Sequence, residues 1–426
     1  MSEPSGRSEA GSRQTTGDAT VGSADGKNLE RQIRAFHWIR LLAELTGRHA
    51  GTDQEGEAAR RVETWLRDLG LEEVSIASVP SRPRTGNVLA VHAGVAALGC
   101  ALGGVAGFAL AALAVLSFRR ETSGRAPWLT RWLPVRDSVN VVGRVGARKP
   151  RRRVVLLASL DAGQASPLFA GRLRSWLTGE GEDGTPRGGL ALPMRVLVGA
   201  AVVTAAAALG ADGALALATR VVLGVALAAV AILGAHWARD ASASGANDDA
   251  SGVAAMLTAV EQLAAQLPPD VELWCAAAGA GQAGGQGVRA LLGAHPEWKG
   301  DHTAFVSFDA VGGGALHWAR SDGDRVRAAH PPMLGELARR IAASGAYGDV
   351  APFDLAFETS GHPVARRGAP VLALVGLQPD RLPLHWRSAG DVPRDLDTET
   401  VIRAADFGCC VLSAYLRGDA EPLAYV

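Results

Sequence analysis

The chain has 426 residues, is 48% apolar, and carries 43 basic against 43 acidic side chains, a formal net charge of zero. That length fits one large domain or two medium ones, and the neutral balance excludes a global field that would draw the chain to nucleic acid. Lysine occurs only at Lys27, Lys149 and Lys299, and the four cysteines (Cys100, Cys275, Cys409, Cys410) show no CxxC or Cys/His spacing, which argues against a zinc finger or disulfide framework and fits a reducing, cytosolic environment.

Residues 1–28 are rich in Ser, Gly, Thr and Glu without an apolar run. They lack the core of a signal peptide and read as a disordered tail. A globular segment, 29–87, follows. Within it Ala59, Val62, Trp65, Leu66 and Leu69 fall at helical spacing over Gly56 to Leu69, Gly70 stops the helix, and Glu72 to Val79 alternates as a strand.

Residues 88–118 contain no Asp, Glu, Lys or Arg and run into Arg119-Arg120. One helix of that length would measure about 46 Å, more than a bilayer core needs. Gly99, Gly103 and Gly104 lie near its middle. A single crossing would put the segments on either side of it on opposite membrane faces, where they could share no core. A re-entrant or shallow membrane hairpin is therefore expected rather than a span.

The globular part continues over 119–195, with strands at Ser138 to Val145 and Val154 to Leu160. A second apolar region, 196–236, is interrupted by Asp212 and Arg220. It reads as two short transmembrane helices turning near Ala211-Asp212-Gly213, with a buried core pair as the competing reading. Arg82, Arg84, Arg119, Arg120, Arg125, Arg131, Arg136 and Arg151 to Arg153 lie on the globular side. The positive-inside rule then faces the globular part to the cytoplasm at the inner (plasma) membrane.

Residues 237–426 complete it. Helix Gly252 to Leu267 ends at Pro268-Pro269. Strands Val271 to Ala277 and Ala304 to Phe308, helix Pro331 to Ser344, strand Val371 to Leu377 and helix Thr400 to Leu416 follow. Alternating strands and helices predict a three-layer α/β sandwich around a largely parallel mixed sheet, carrying inserted transmembrane or re-entrant helices. Ligands in such folds gather at the carboxyl ends of strands, where Ser159, Asp161, Gly281, Gln282 and Asp309 fall.

Several motifs stand in order along this frame: Ser159-Leu-Asp161 at a strand end; Gly245-Ala-Asn-Asp248-Asp-Ala-Ser-Gly252-Val opening a helix; Gly279-Ala-Gly281-Gln282-Ala-Gly284 after a strand; Asp309 after a strand; and His385 followed by Asp391. The set resembles the bacterial leucyl-type zinc aminopeptidases, two-zinc exopeptidases whose wider superfamily includes the transferrin receptor ectodomain and nicastrin. The resemblance covers Leu29 to about Leu416. It implies that Asp248 matches the carboxylate bridging two zincs, that Asp309 and His385 match retained ligands, and that Asp161 and Asp391 are supporting carboxylates. It also implies losses. The family's His position holds Ser159, its ligand Glu holds Gln282, and its general base holds Gly281.

Two metals in such a site polarise the carbonyl, activate water and hold the leaving amine. Neutral Ser and Gln are poor substitutes for imidazole and carboxylate, and general acid–base catalysis is worth about 10²–10⁴-fold. The resemblance with these losses implies a membrane-anchored pseudopeptidase, with no cofactor, no catalytic residue, and a peptide or protein partner besides the lipid bilayer. The alternative is a divergent, zinc-dependent metallopeptidase releasing N-terminal residues, its site rebuilt from Asp161, Asp249, Gln286, His317, Glu358 or His362, the last of which reads as a surface-loop histidine. A membrane assembly factor, and a Ser159–His385–Asp391 hydrolase, are further readings. Without metal, Asp248 and Asp309 would repel as close carboxylates unless one holds a proton or an arginine pairs with them.

Overall fold

The computed structural model describes residues 18–418 apart from 82–84, 123–124, 167–190, 211–212, 241–242, 283, 299, 301 and 325. Its first helix, α1 (Asp18–Ala43), begins inside the segment expected to be a disordered tail. The expectation is corrected from Asp18 onward. Residues 1–17 lie outside the described residues, as do Arg82 and Arg84.

Helix α2 (Asp53–Asp68) is capped by Thr52, whose side chain accepts from Glu55 N, and buries Ala58, Ala59, Val62 and Leu66 on one face. Strands β1 (Glu72–Ser81), β2 (Arg136–Gly146), β3 (Arg152–Ser159), β4 (Val271–Ala278), β5 (Thr303–Asp309), β6 (Ala315–Asp322), β7 (Ala328–Ala329), β8 (Ala351–Asp354) and β9 (Val371–Leu377) form one sheet among the described residues. Its order is β1-β2-β4-β3-β5-β9-β6-β7, with β8 beside β6. The centre, β4-β3-β5-β9, is parallel, and antiparallel pairs flank it.

Strand β3 shows why the sheet is covered on both faces. Val154, Leu156 and Ala158 join the core under α1, α2, α7 (Gly252–Ala264), α9 (Pro332–Ala343) and α11 (Thr398–Arg417). Val155 and Leu157 join the opposite core, with Val288 and Leu291 of α8 (Gln286–Ala294) and Val364 of the short α10 (His362–Ala365). A continuous apolar run is what a parallel strand buried on two faces requires. This is the expected three-layer α/β sandwich. Sequence periodicity did not pick out β6, β8 or α8.

The apolar insertions form four packed helices. Residues 88–118 are two helices, α3 (Thr85–Leu102) and α4 (Gly104–Thr122), broken where Gly103 and Gly104 both take positive φ. The second insertion is α5 (Ala191–Ala208) and α6 (Ala214–Trp237). Contact is close where side chains are absent. A Cβ on Gly86 would stand 2.5 Å from Gly234 O, and one on Gly107 would stand 2.3 Å from Gly99 O. The bundle has its own interior of Leu89, Ala93, Ala96, Ala114, Phe118, Leu197 and Leu227. It also leaves Leu102, Val105, Val202, Val222, Val225 and Ile232 exposed. By length and composition, α3 and α6 suffice to cross a membrane.

Candidate functional site

Because β3, β4, β5 and β9 are parallel, their carboxyl ends open on one edge. The chain leaving each strand there lines a cleft of Ser159, Asp248, Gly281, Gln282, Asp309, Phe357, Glu358, Ser360, Trp386 and Arg387, among others. Ser159, Gly281, Gln282 and Asp309 therefore meet there, together with Asp248; Asp161, expected with them, is not part of the lining but accepts from Gly281 N and Gln282 N behind it. Asp248 sits in a tight turn, 246–251, that leads into α7.

The carboxylates are held by the protein's own donors. Gly281 N and Gln282 N donate to Asp161 Oδ1 and Oδ2 at 2.7 and 3.2 Å. Asn247 N and Asp248 N donate to Asp391 Oδ1 and Oδ2 at 2.6 and 3.0 Å. Ser360 N and Ser307 Oγ donate to the two oxygens of Asp309 at 2.7 and 2.9 Å. Asp249 accepts from Ser159 N and Ala310 N at 2.9 and 2.7 Å, bracing β3 against β5.

Asp248 differs. Its Oδ1 accepts from Gln282 Nε2 at 2.8 Å, and its Oδ2 is buried without a hydrogen-bond partner among the described residues. Burial raises its pKa, while the Arg387 charge, the Gln282 bond and the Arg48 charge pull it back. Burial also pushes Asp161 and Asp309 up to about 6 and Asp391 up to about 7. Asp249 rises well above the carboxylate range, through burial and then the Asp309 charge.

Two arginines stand against this acidity, and the sequence reading flagged neither. Arg48, fully buried, donates to the backbone carbonyls of Leu160, Leu42, Ser244 and Gly245. Burial lowers it to about 10, while Asp161, Asp249, Asp391 and Asp248 oppose that fall. Arg387 lines the cleft and lies over two rings, 4.4 Å from the Trp386 centroid and 5.4 Å from that of Trp237, the last residue of α6. The bundle meets the cleft at a second point, where Thr85 Oγ1 donates to Gln282 O at 3.4 Å.

The geometry corrects the expectation for His385. Its ring is absent from the cleft lining and faces Asp395, with Nε2 3.2 Å from Asp395 Oδ2. His385 and Arg387 both take positive φ, and this turn sends Arg387 inward in its place. The Ser159–His385–Asp391 constellation is not assembled either, since Ser159 Oγ pairs with Ser360 Oγ at 3.0 Å. Nor is His362 a surface-loop residue. It is fully buried, with Nδ1 2.8 Å from Asp322 Oδ1, and Asp322 also holds Thr359 N at 3.1 Å. His317 lies on strand β6 with its ring nitrogen on Ala315 O, so it adds nothing to the cleft.

The donor set does not fit two zinc ions. No imidazole enters the cleft lining, Gln282 aims an N–H at Asp248, and a guanidinium already supplies local positive charge. Zinc would need imidazole, thiolate or carboxylate at those places. Among the described residues no three His, Cys, Asp or Glu side chains are grouped to hold a metal.

Ser159 and Gly281 are sterically linked. A Cβ on Gly281 would stand 2.2 Å from Ser159 Oγ and 3.0 Å from Asp161 Oδ1. Gly281→Glu alone is expected to destabilise the fold by about 1–3 kcal/mol through overpacking, read as a lower thermal midpoint. Gly281→Glu with Ser159→Gly should recover most of that loss, whereas no recovery would show that the hydroxyl is not the obstacle.

Glu55 underlies the same loop. It is buried, accepts from Ser138 Oγ at 2.6 Å and Gly51 N at 2.7 Å, and is pushed up to about 8 by burial and then by Asp161. A carboxyl group with a raised folded pKa binds its proton more tightly when folded. It thus stabilises most at low pH, and this contribution is lost as pH rises through the folded value. The thermal midpoint is expected to fall between about pH 5 and pH 9, and Glu55→Gln to flatten that part of the profile. An unchanged slope in the variant would assign the effect elsewhere.

Residues 223–409 match the family model "Peptidase family M28". No curated protein matches the sequence. Among solved structures, a zinc aminopeptidase from Bacillus subtilis superposes with a TM-score of 0.54 at 14% identity, covering 92% of this chain and 96% of that one. An aminopeptidase from Aneurinibacillus sp. strain AM-1 gives 0.53 at 13%, covering 90% and 93%. A glutaminyl cyclase from Bacteroides thetaiotaomicron gives 0.51 at 13%, covering 89% and 96%. At such identities the likeness is one of fold. It is an aminopeptidase-like α/β architecture, within which residues 223–409 are similar to peptidase family M28.

Proposed function

We propose that this is a membrane-anchored, aminopeptidase-like protein that uses its cleft to bind a peptide or protein partner without cleaving it. The observation that carries this reading is the state of Asp248. It is hydrogen-bonded to Gln282 Nε2 and drawn down by the Arg387 charge, while the position the resemblance gives to the general base is Gly281. On this reading a protein cation and an amide supply the balance to Asp248 that a metal would otherwise supply. Asp161, Asp309, Asp391, Asp248 and Arg48 then serve to hold the cleft's loops.

The anchor is the four-helix bundle. Its outward Val222, Val225 and Ile232 are between half and three-quarters exposed, an arrangement that water disfavours and hydrocarbon accepts. Helix α3, at 18 residues, spans about 27 Å, close to the hydrocarbon thickness. The arginines at the bundle's globular end orient the sandwich toward the cytoplasm.

The unpartnered Asp248 Oδ2 favours a second reading, a divergent zinc peptidase with a single metal. Elemental analysis of detergent-purified protein dialysed against trace zinc separates the two. Clearly less than one equivalent, unchanged by Asp248→Ala, is expected. One or two equivalents that disappear in Asp248→Ala would overturn the binding-only reading and make an aminopeptidase substrate screen the next step.

A further inference from the structure

The chain that leaves α4 folds back along the helix instead of running straight into β2. Leu129 N donates to Ser117 Oγ at 3.2 Å, and Arg120 Nε donates to Ala126 O at 2.9 Å. The Thr130 hydroxyl bonds the Glu121 carboxylate. This fold-back holds Trp128 beside the last turn of α4, with Trp132 and Val135 following in the chain; the three are 43%, 78% and 61% exposed. Each indole carries a guanidinium on its face. Arg120 lies 5.1 Å from the Trp128 centroid, and Arg131 lies 4.4 Å from that of Trp132.

The same end of the bundle gathers more charge. Gly86 packs on Gly234, so the start of α3 lies beside the end of α6. The helices run alternately out and back, which also places the start of α5 and the end of α4 there. Arg119, Arg125, Arg131, Arg136, Arg195 and Arg239 are exposed in this zone. The described acids near it are Glu121, bonded to Thr130, Asp137, Asp240 and Asp53, two residues from the Gly51 that packs on Arg136. The exposed apolar side of α4 at Leu113 and Leu116 leads directly into the two tryptophans.

We infer that this collar is a docking surface for anionic phospholipid headgroups. The inference rests on the membrane reading of the bundle. An exposed indole with one wet and one apolar side suits the headgroup level of a bilayer. The Arg131 guanidinium stacked on Trp132 presents its N–H edge to phosphate, which it binds in fork geometry, and Arg120, with Nε on Ala126 O, presents its two terminal nitrogens. Both features coincide only where the apolar surface of the bundle ends, and the excess of arginine over acid there selects negative lipid.

The test uses the full chain reconstituted into vesicles containing brominated phosphatidylglycerol or brominated phosphatidylcholine. Quenching by the collar is the difference between the native chain and the Trp128→Phe/Trp132→Phe variant. Brominated phosphatidylglycerol is expected to be enriched at the collar by about five-fold, the factor that one interfacial arginine contributes. Arg119→Gln/Arg131→Gln/Arg136→Gln should remove most of that preference while leaving insertion intact. Equal quenching by both lipids, with the chain inserted, overturns the collar while leaving the anchor standing. Quenching by neither, with the chain in the aqueous fraction, overturns the anchor and the collar together.

Discussion

Aspartates at Val222 and Val225 are expected to release the chain from the membrane fraction. Both positions lie mid-way along α6, at 67% and 66% exposure on the outside of the bundle. In water such a change on an exposed helix face costs little. At the bilayer centre each aspartate costs about 2.5–3.5 kcal/mol. The double variant therefore loses roughly 5–7 kcal/mol of insertion free energy if the costs add, enough to shift the chain out of the carbonate-resistant membrane pellet. Val222→Leu/Val225→Leu serves as the control and should stay. A double-aspartate variant that remains in the pellet, or a native chain soluble without detergent, would remove the anchor from the proposed function.

Arg48→Met is expected to be the most destabilising single change in the globular part. The guanidinium has no exposed surface and bonds four carbonyls; removing it takes the donor from Leu160 O and Ser244 O, while Leu42 O keeps Leu45 N and Gly245 O keeps Ala250 N. It also takes away a positive charge that faces Asp161, Asp249, Asp391 and Asp248. Removing one member of a buried charge cluster costs about 3–5 kcal/mol, a large share of a domain's net stability. Thermal unfolding in detergent should show a single, strongly lowered midpoint. Adding Asp391→Asn should recover part of the loss by lifting one uncompensated charge. A midpoint within a degree or two of the native value would mean that the acids hold protons and need no counter-charge.

The parts of this structure that were legible in the sequence are those set by local chemistry. The apolar run 154–158 reads as a strand, and Gly245-Ala-Asn-Asp248 as the opening of a helix. Those two choices alone bring Ser159 and Asp248 to one strand edge. Arg387 was hidden because its direction depends on positive φ at His385 and at Arg387 itself, which nothing in Leu-His-Trp-Arg-Ser announces. His362 was misplaced because β6, whose last residue Asp322 receives it, alternates weakly as Ala-Leu-His-Trp-Ala-Arg. Arg48 sits in a loop, where an arginine is ordinarily solvated, and its burial depends on three carbonyls of distant segments, Leu160, Ser244 and Gly245, besides the nearby Leu42. The early start of α1 was missed because Ser, Gly and Asp dominate residues 18–28 and carry no helical periodicity.

The contacts of Trp237 and Thr85 with the cleft have a mechanical consequence. Two residues at the bundle's globular end, Trp237 and Thr85, touch the Arg387 guanidinium and the Gln282 backbone oxygen, and the Arg387 and Gln282 side chains act on the charge of Asp248. Sandwich and bundle thus share a lever arm. A bilayer that thins or thickens changes helix tilt, a tilt of α6 displaces the indole at its end, and the guanidinium stacked on that indole moves with it. On the proposed anchoring, the shape of the cleft is tied to the thickness of the bilayer that holds the bundle.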